Sequence, residues 1–228
     1  MPGTLYVIPS TLGGRAAEAL PGSSLDLIRT LKCFAVENAK SARAFLNDVG
    51  MPCPMQDLNI STLGDDVSPQ VKILKVTSLG LLSEAGCPAI ADPGAGLVEA
   101  AHREGIKVVP LVGPSSIVLA LMASGLEGQR FAFCGYLPRE AAARTRRIAE
   151  LERRSRKEAE TQIFIETPYR NDALLGALLA SCNSETLLCL ASDLTLDSEQ
   201  VKTRTIGQWR GGRPVIGKRP TVFLLLAR

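Results

Sequence analysis

His102 is the only histidine among the 228 residues of this chain. It lies in a helix-like stretch, Gly96 to Glu104, spaced to face solvent or a helix neighbour, which makes it a poor candidate for acid–base work. The cysteines Cys33, Cys53, Cys87, Cys134, Cys182 and Cys189 are never two or three apart, so neither a zinc knuckle nor a redox pair is indicated. Most of them sit in apolar runs, as small core residues do. No uncharged apolar run reaches the roughly 18 residues of a membrane span. Met1-Pro-Gly-Thr4 lacks the positive region of a signal peptide, so a cytoplasmic chain is expected. Charge is close to balanced, with 26 Lys and Arg against 23 Asp and Glu. A chain at +3 is no strongly basic nucleic-acid binder as a whole, although local basic patches remain compatible with that figure. Internal repeats and low-complexity segments are absent.

What is present is an apolar fraction of 46%, enough for a sizeable core, and an alternation of strand-like and helix-like stretches. That alternation predicts α/β layers. The most structured loop is Ser83 to Gly94. The apolar run Leu79 to Leu82 enters it and the helix from Gly96 leaves it. Gly86, Pro88, Pro93 and Gly94 stiffen it around Asp92. A strand–loop–helix passage of this kind places its loop at the carboxyl edge of a parallel sheet, where α/β folds bind ligands. A second such loop, Gly113-Pro-Ser-Ser116, follows the strand-like Ile106 to Val112 and opens the helix Ile117 to Ser124. Ser115 or Ser116 can cap that helix, whose free N–H groups suit a carboxylate or another anion. The plain alternative is that both loops are only turns.

Elsewhere, Thr4 to Ile8 reads as a strand ended by Pro9. Ser23 or Ser24 is expected to cap a helix through Leu31, and Cys33 to Val36 is a second strand. Glu37, at its end, can accept a proton or orient a substrate; as a plain alternative it caps a helix or sits in an ion pair. Residues 50–69 hold three prolines and no clear period, which predicts a long loop. A domain boundary is expected near Pro114, giving domains 1–114 and 115–228. Residues 139–157 form a helix rich in Arg and Lys, either a solvated, salt-bridged face or a contact for RNA phosphates. Strands are expected at 161–165, 186–191, 199–205 and 220–227, with a helix at 171–181.

Glu84-Ala-Gly-Cys-Pro-Ala-Ile-Ala-Asp-Pro-Gly94, followed at family spacing by Val109-Pro-Leu-Val-Gly-Pro-Ser-Ser116 and Ser124-Gly-Leu126, resembles the tetrapyrrole methylase superfamily. Within it the chain is most similar to the branch of small-subunit ribosomal RNA cytidine 2′-O-methyltransferases. The resemblance covers nearly the whole chain. It implies two α/β domains of the tetrapyrrole methylase type with the cofactor cleft between them, S-adenosylmethionine as cofactor, RNA as partner, and a homodimer. It implies cofactor contacts at Pro9, Gly86, Cys87, Pro88, Ile90, Asp92, Gly113, Ser115, Ser116, Ile117, Tyr169 and Leu194. For Cys87 a snug small side chain and a reactive thiol are both open.

The chain departs from that branch on the substrate side. Gly13-Gly14 replaces the usual Gly-Asn, Asn38 stands at a usual Asp, and residues 50–69 lack a His- and Glu-containing motif. Tyr169 replaces a frequent His, and Ser192-Asp-Leu-Thr-Leu196 replaces Arg-Glu-Leu-Thr-Lys. Methyl transfer is an in-line displacement that needs alignment, and a ribose hydroxyl also needs its proton removed. With His102 set aside, Glu37 and Glu166 are the candidate bases; no metal site is expected. Three functions stay open: an RNA methyltransferase, a small-molecule methyltransferase of the tetrapyrrole type, and a cofactor-binding protein without turnover.

Overall fold

The computed structural model describes residues 2–228. The chain divides into two compact α/β units, the first ending at Ser115 and the second starting at Ser116.

The first unit runs β1 (Thr4–Ile8), α1 (Ala16–Ala19), α2 (Gly22–Thr30), β2 (Cys33–Val36), α3 (Ala39–Val49), β3 (Asn59–Thr62), α4 (Ser68–Leu74), β4 (Leu79–Leu82), α5 (Ala95–Arg103) and β5 (Lys107–Pro110). Its five strands are parallel, in the order β3-β2-β4-β1-β5. All four residues of β4 are buried, as expected of a strand covered on both faces. One face packs Ile8, Phe34 and Leu82 against Leu25, Ile28 and Leu46 of α2 and α3. The other packs Leu5, Leu79 and Leu81 against Leu74 of α4 and Leu97 of α5. Because every strand runs the same way, the loops after β1, β2, β4 and β5 meet at one edge.

Residues 50–69 are more ordered than their sequence predicts. They hold a short 3₁₀ turn, Met55–Asp57, and the edge strand β3, whose outer residues Asn59 and Thr62 are exposed, so no apolar period marks it. Pro69 belongs to the first turn of α4, where a missing N–H costs nothing. Neither Ser23 nor Ser24 caps α2: Pro21 occupies that position, and Ser24 is buried within the helix.

The second unit runs α6 (Ser116–Ser124), β6 (Phe131–Tyr136), α7 (Ala141–Glu158), β7 (Thr161–Ile165), α8 (Asn171–Ser181), β8 (Leu187–Ser192), β9 (Gln200–Thr205), α9 (Ile206–Gly211) and β10 (Thr221–Leu226). The order is β6-β7-β10-β8-β9. β6 and β7 are parallel, whereas β10 runs antiparallel to both β7 and β8. The carboxyl ends of β7 and β8 therefore share an edge. The core stacks Phe164 on Phe223 at 5.9 Å between ring centroids, beneath Ile148 and Leu151 of α7 and Leu174, Leu175 and Leu178 of α8. The short helix α9 escapes the apolar-period reading; it is set by a capping box between Thr205 and Gln208. No helix among the described residues is long and apolar enough to cross a membrane.

Candidate active site

In the first unit the sheet edge is tied together by small polar and backbone groups. Ser10 and Gly86 exchange backbone hydrogen bonds of 2.8 and 3.2 Å, which pins the loop after β1 to the loop after β4. The Ser10 hydroxyl donates to the Ser83 carbonyl at 2.9 Å. The Cys87 thiol donates to the Pro114 carbonyl at 3.4 Å, bringing in the loop after β5. Gly113 lets that loop lie flat on Pro9: a β-carbon there would fall 2.4 Å from the Pro9 Cβ. Gly86, at φ +71°, takes a backbone shape that glycine adopts without strain. Thus Pro9, Gly86, Cys87 and Gly113 are drawn together, and Pro88 lies buried in the same loop.

The edge is acidic. Glu37 Oε2 accepts from the Glu84 N–H at 3.0 Å, and the Ser41 hydroxyl donates to Glu84 Oε1 at 3.2 Å. The cap of α3 is Asn38, not Glu37: its side chain accepts from Lys40 and Ser41 N–H. Asp92 is half-buried. Burial holds its carboxyl above the usual carboxylate range, the charge of Glu37 adds to the rise, the Ser83 hydroxyl opposes it and Glu84 adds further. Burial, and then Asp92, push the Cys87 thiol upward, which favours a packed thiol over a reactive thiolate. None of the ion pairs among the described residues involves Glu37, Glu84 or Asp92. Three carboxylates without a basic partner favour a cationic ligand.

At the shared edge of β7 and β8 in the second unit, the Glu166 side chain is 1% exposed and paired with Arg170. Its Oε1 also accepts from the Thr167 N–H at 2.6 Å, while its Oε2 has no partner. Asn171 is buried next in line. Its amide donates to the Arg219 carbonyl at 2.8 Å, and its Oδ1 is likewise without a partner. Arg219 reaches Asp193 Oδ2 at 2.7 Å, linking this turn to the loop that carries Leu194. Tyr169 is 80% exposed, with Lys218 Nζ 5.0 Å from its ring centroid. Ser115 and Ser116 are half-buried at the start of α6, Ile117 and Leu194 are buried, and His102 is exposed in the last turn of α5.

Among the described residues, five other than glycine have positive φ: Ala89, Ala91, Ala159, Asp193 and Thr195. Two of these flank Ile90 and two flank Leu194. A β-branched threonine at φ +73° is a genuine outlier. Such strain of about 1–3 kcal/mol per residue gathers at ligand-binding segments. Each unit therefore has a strained loop at its strand ends, the first beside the acidic edge of Glu37, Glu84 and Asp92, the second in the unit that holds the unpartnered Glu166 Oε2 and Asn171 Oδ1.

No family model matches the chain. It is 33% identical to the ribosomal RNA small subunit methyltransferase I of Xylella fastidiosa over 208 residues, 90% of this chain and 73% of that one. The chain belongs to the tetrapyrrole methylase superfamily. The protein of the same name from Vibrio cholerae is 32% identical over 87% of this chain and 67% of its own length. In fold, the chain is similar to diphthine synthase, with a TM-score of 0.70 at 16% identity over 98% of this chain and 89% of that one. The chain is accordingly an S-adenosylmethionine-dependent methyltransferase. The positively charged sulfonium and ammonium groups of that cofactor suit the acidic edge of the first unit.

Several participants escaped the sequence reading. Ser10, Ser83 and Glu84 carry the ties of the first edge. Ser83 and Glu84 open the Ser83 to Gly94 loop, but nothing in that stretch marks the Ser83 carbonyl as the partner of Ser10 or the Glu84 N–H as the partner of Glu37. Arg170 and Asn171 follow Glu166 in a turn whose sequence was noted, but their burial is a product of the fold.

Proposed function

We propose that this methyltransferase acts on small-subunit ribosomal RNA and transfers the methyl group to a ribose 2′-hydroxyl. The observation that carries the reading is the name shared by relatives 28–33% identical over 82–98% of the chain. The excess of basic residues on α7 supports a polyanionic substrate.

S-adenosylmethionine, when bound, supplies an electrophilic methyl group. Pro9, Gly86, Cys87, Pro88, Ile90, Asp92 and Gly113 of the first unit, and Ser116, Ile117, Tyr169 and Leu194 of the second, are the residues the reading gives to its binding, with Ser115 at the join. A ribose hydroxyl becomes a competent nucleophile once its proton is drawn away. In this reading the Glu37–Asp92 pair receives that proton. Glu37 is engaged by the Glu84 N–H, which fixes the loop and keeps a negative charge beside Asp92. Asp92, whose carboxyl is raised by burial and by that charge, is the acceptor in this reading. Glu166 is engaged by Arg170 and Thr167 and serves to hold its turn. A homodimer in the cytoplasm completes the proposal.

Incubation with methyl-labelled S-adenosylmethionine and either total RNA or a porphyrin precursor tests it. Label in RNA alone supports the reading. Label in the porphyrin precursor, or in neither, overturns it.

A further inference from the structure

Between Arg139 and Glu160 the chain carries eight basic residues and five glutamates, an excess of three. The formal charge of the entire chain is +3, so its whole positive excess resides on this one segment. α7 is fixed by a narrow buried stripe, Ile148, Leu151 and Ser155, of which Ile148 and Leu151 join the apolar core. Ser155 is fully buried, and its hydroxyl donates to the Glu160 carbonyl at 2.8 Å. At 100° per residue, Arg146, Arg153 and Lys157 fall on the face opposite this stripe.

Each glutamate of the segment already has a local partner. Glu140 caps α7 through the Ala142 and Ala143 N–H groups. Glu150 pairs with Arg147 at 3.2 Å, Glu158 with Lys157 at 3.3 Å and Glu160 with Arg154 at 2.9 Å. Glu152 accepts from the Asn183 N–H and the Thr186 hydroxyl. Arg144 is half-buried and donates to the Arg139 carbonyl, and Arg156 donates to the Arg228 carbonyl. Arg146 and Arg153 are exposed and have neither a carboxylate nor a hydrogen-bonded partner among the described residues. They are seven residues, about two turns or 10 Å, apart along the helix.

We infer that the outer face of α7 docks the phosphate backbone of the RNA substrate through Arg146 and Arg153, while Arg147 and Arg154 are structural ion-pair partners. This inference rests on the proposed RNA substrate and deepens it. Free guanidiniums two turns apart match a repeating polyanion, and planar bidentate donation suits phosphate oxygens. Contacts to phosphate carry no sequence information, so the face sets affinity and orientation rather than the choice of nucleotide.

The test compares two double variants of the full chain, Arg146→Ala with Arg153→Ala, and Arg147→Ala with Arg154→Ala. Alanine is the strongest helix former, so α7 persists in both, as circular dichroism verifies. Affinity for purified small-subunit ribosomal RNA and for poly(U) is measured across a salt series. Each lost phosphate contact flattens the slope of log affinity against log salt by about 0.7 to 0.9. The first variant should therefore lose about 1.4 to 1.8 of slope on either RNA, and the second should lose much less. An unchanged slope in the first variant, or equal losses in both, overturns the inference. Methyl transfer to RNA by the unaltered chain is recorded alongside. Transfer with an unchanged slope refutes the α7 face alone, and absence of both transfer and RNA affinity refutes the RNA reading itself.

Discussion

Replacing Gly113 with alanine tests how the two loops beneath the candidate active site are held. The added Cβ would lie 2.4 Å from Pro9 Cβ, 2.8 Å from Pro9 Cγ and 2.9 Å from Leu20 Cδ2. Carbon atoms settle at about 3.5–4.0 Å, so Pro9 must retreat by roughly 1 Å or more. It has little freedom to do so. Its ring fixes φ, and the next residue, Ser10, is bonded to Gly86 in both directions and to the Ser83 carbonyl. Overpacking of this kind costs about 1–3 kcal/mol, and the rigid neighbour points to the upper end. At about 4 °C per kcal/mol for a unit of this size, that is a fall of roughly 10 °C. Differential scanning calorimetry should show it in the transition that contains the first unit, with S-adenosylmethionine affinity falling in parallel by isothermal titration. A melting profile within a degree or two of the parent, with affinity lost, would mean that Gly113 serves the ligand directly and not the packing of Pro9.

The remaining predictions concern the carboxylates. Asp92→Asn should lower kcat by about a hundredfold to ten-thousandfold at saturating cofactor; a variant keeping more than a tenth of the parent rate excludes Asp92 as the base. Because the Asp92 carboxyl lies above its ordinary value of 3.8, the stability it contributes is complete below that pH and is lost as pH rises through the raised value. Asparagine does not titrate, so Asp92→Asn should be more stable than the parent at neutral pH, with the advantage vanishing below about pH 4 in denaturant titrations; an equal advantage at both pH values contradicts this. Glu37→Gln removes the charge beside Asp92 and should move the acid limb of the rate profile to lower pH, whereas an inactive, folded, cofactor-binding variant would make Glu37 the base. Glu166→Ala leaves Arg170 without its carboxylate, and since that guanidinium keeps 27% exposure the loss should fall near the lower end for a buried pair, about 3 kcal/mol by urea unfolding; an unmoved midpoint refutes the pairing.

Much of the fold was legible because its signals are local. β1 and β2 are short apolar runs ended by Pro9 and Glu37, β4 is one set between Ser78 and Ser83, and α7 and α8 follow expected spans to within a residue or two. β3 was not legible, because an edge strand with exposed ends carries no apolar period. α4 hid behind Pro69, which reads as a breaker unless its place in the first turn is known. The loops around Asp92 and Gly113 announced themselves through Pro and Gly, whereas the strain at Ala89 and Ala91 could not be read from alanine, a residue that ordinarily avoids positive φ. The engagement of Glu37 by the Glu84 N–H spans 47 residues, and only the parallel order β2-β4 creates it.

The most direct measurement is the chemical form of the transferred methyl group. Small-subunit ribosomal RNA from cells lacking this chain is incubated with the purified protein and methyl-labelled S-adenosylmethionine, then hydrolysed in alkali. A 2′-O-methyl group removes the hydroxyl that alkali uses to cleave the neighbouring phosphodiester, so the account expects the label in an alkali-resistant dinucleotide and its loss with Asp92→Asn. Label in ordinary mononucleotides, or no transfer to this RNA, would contradict it.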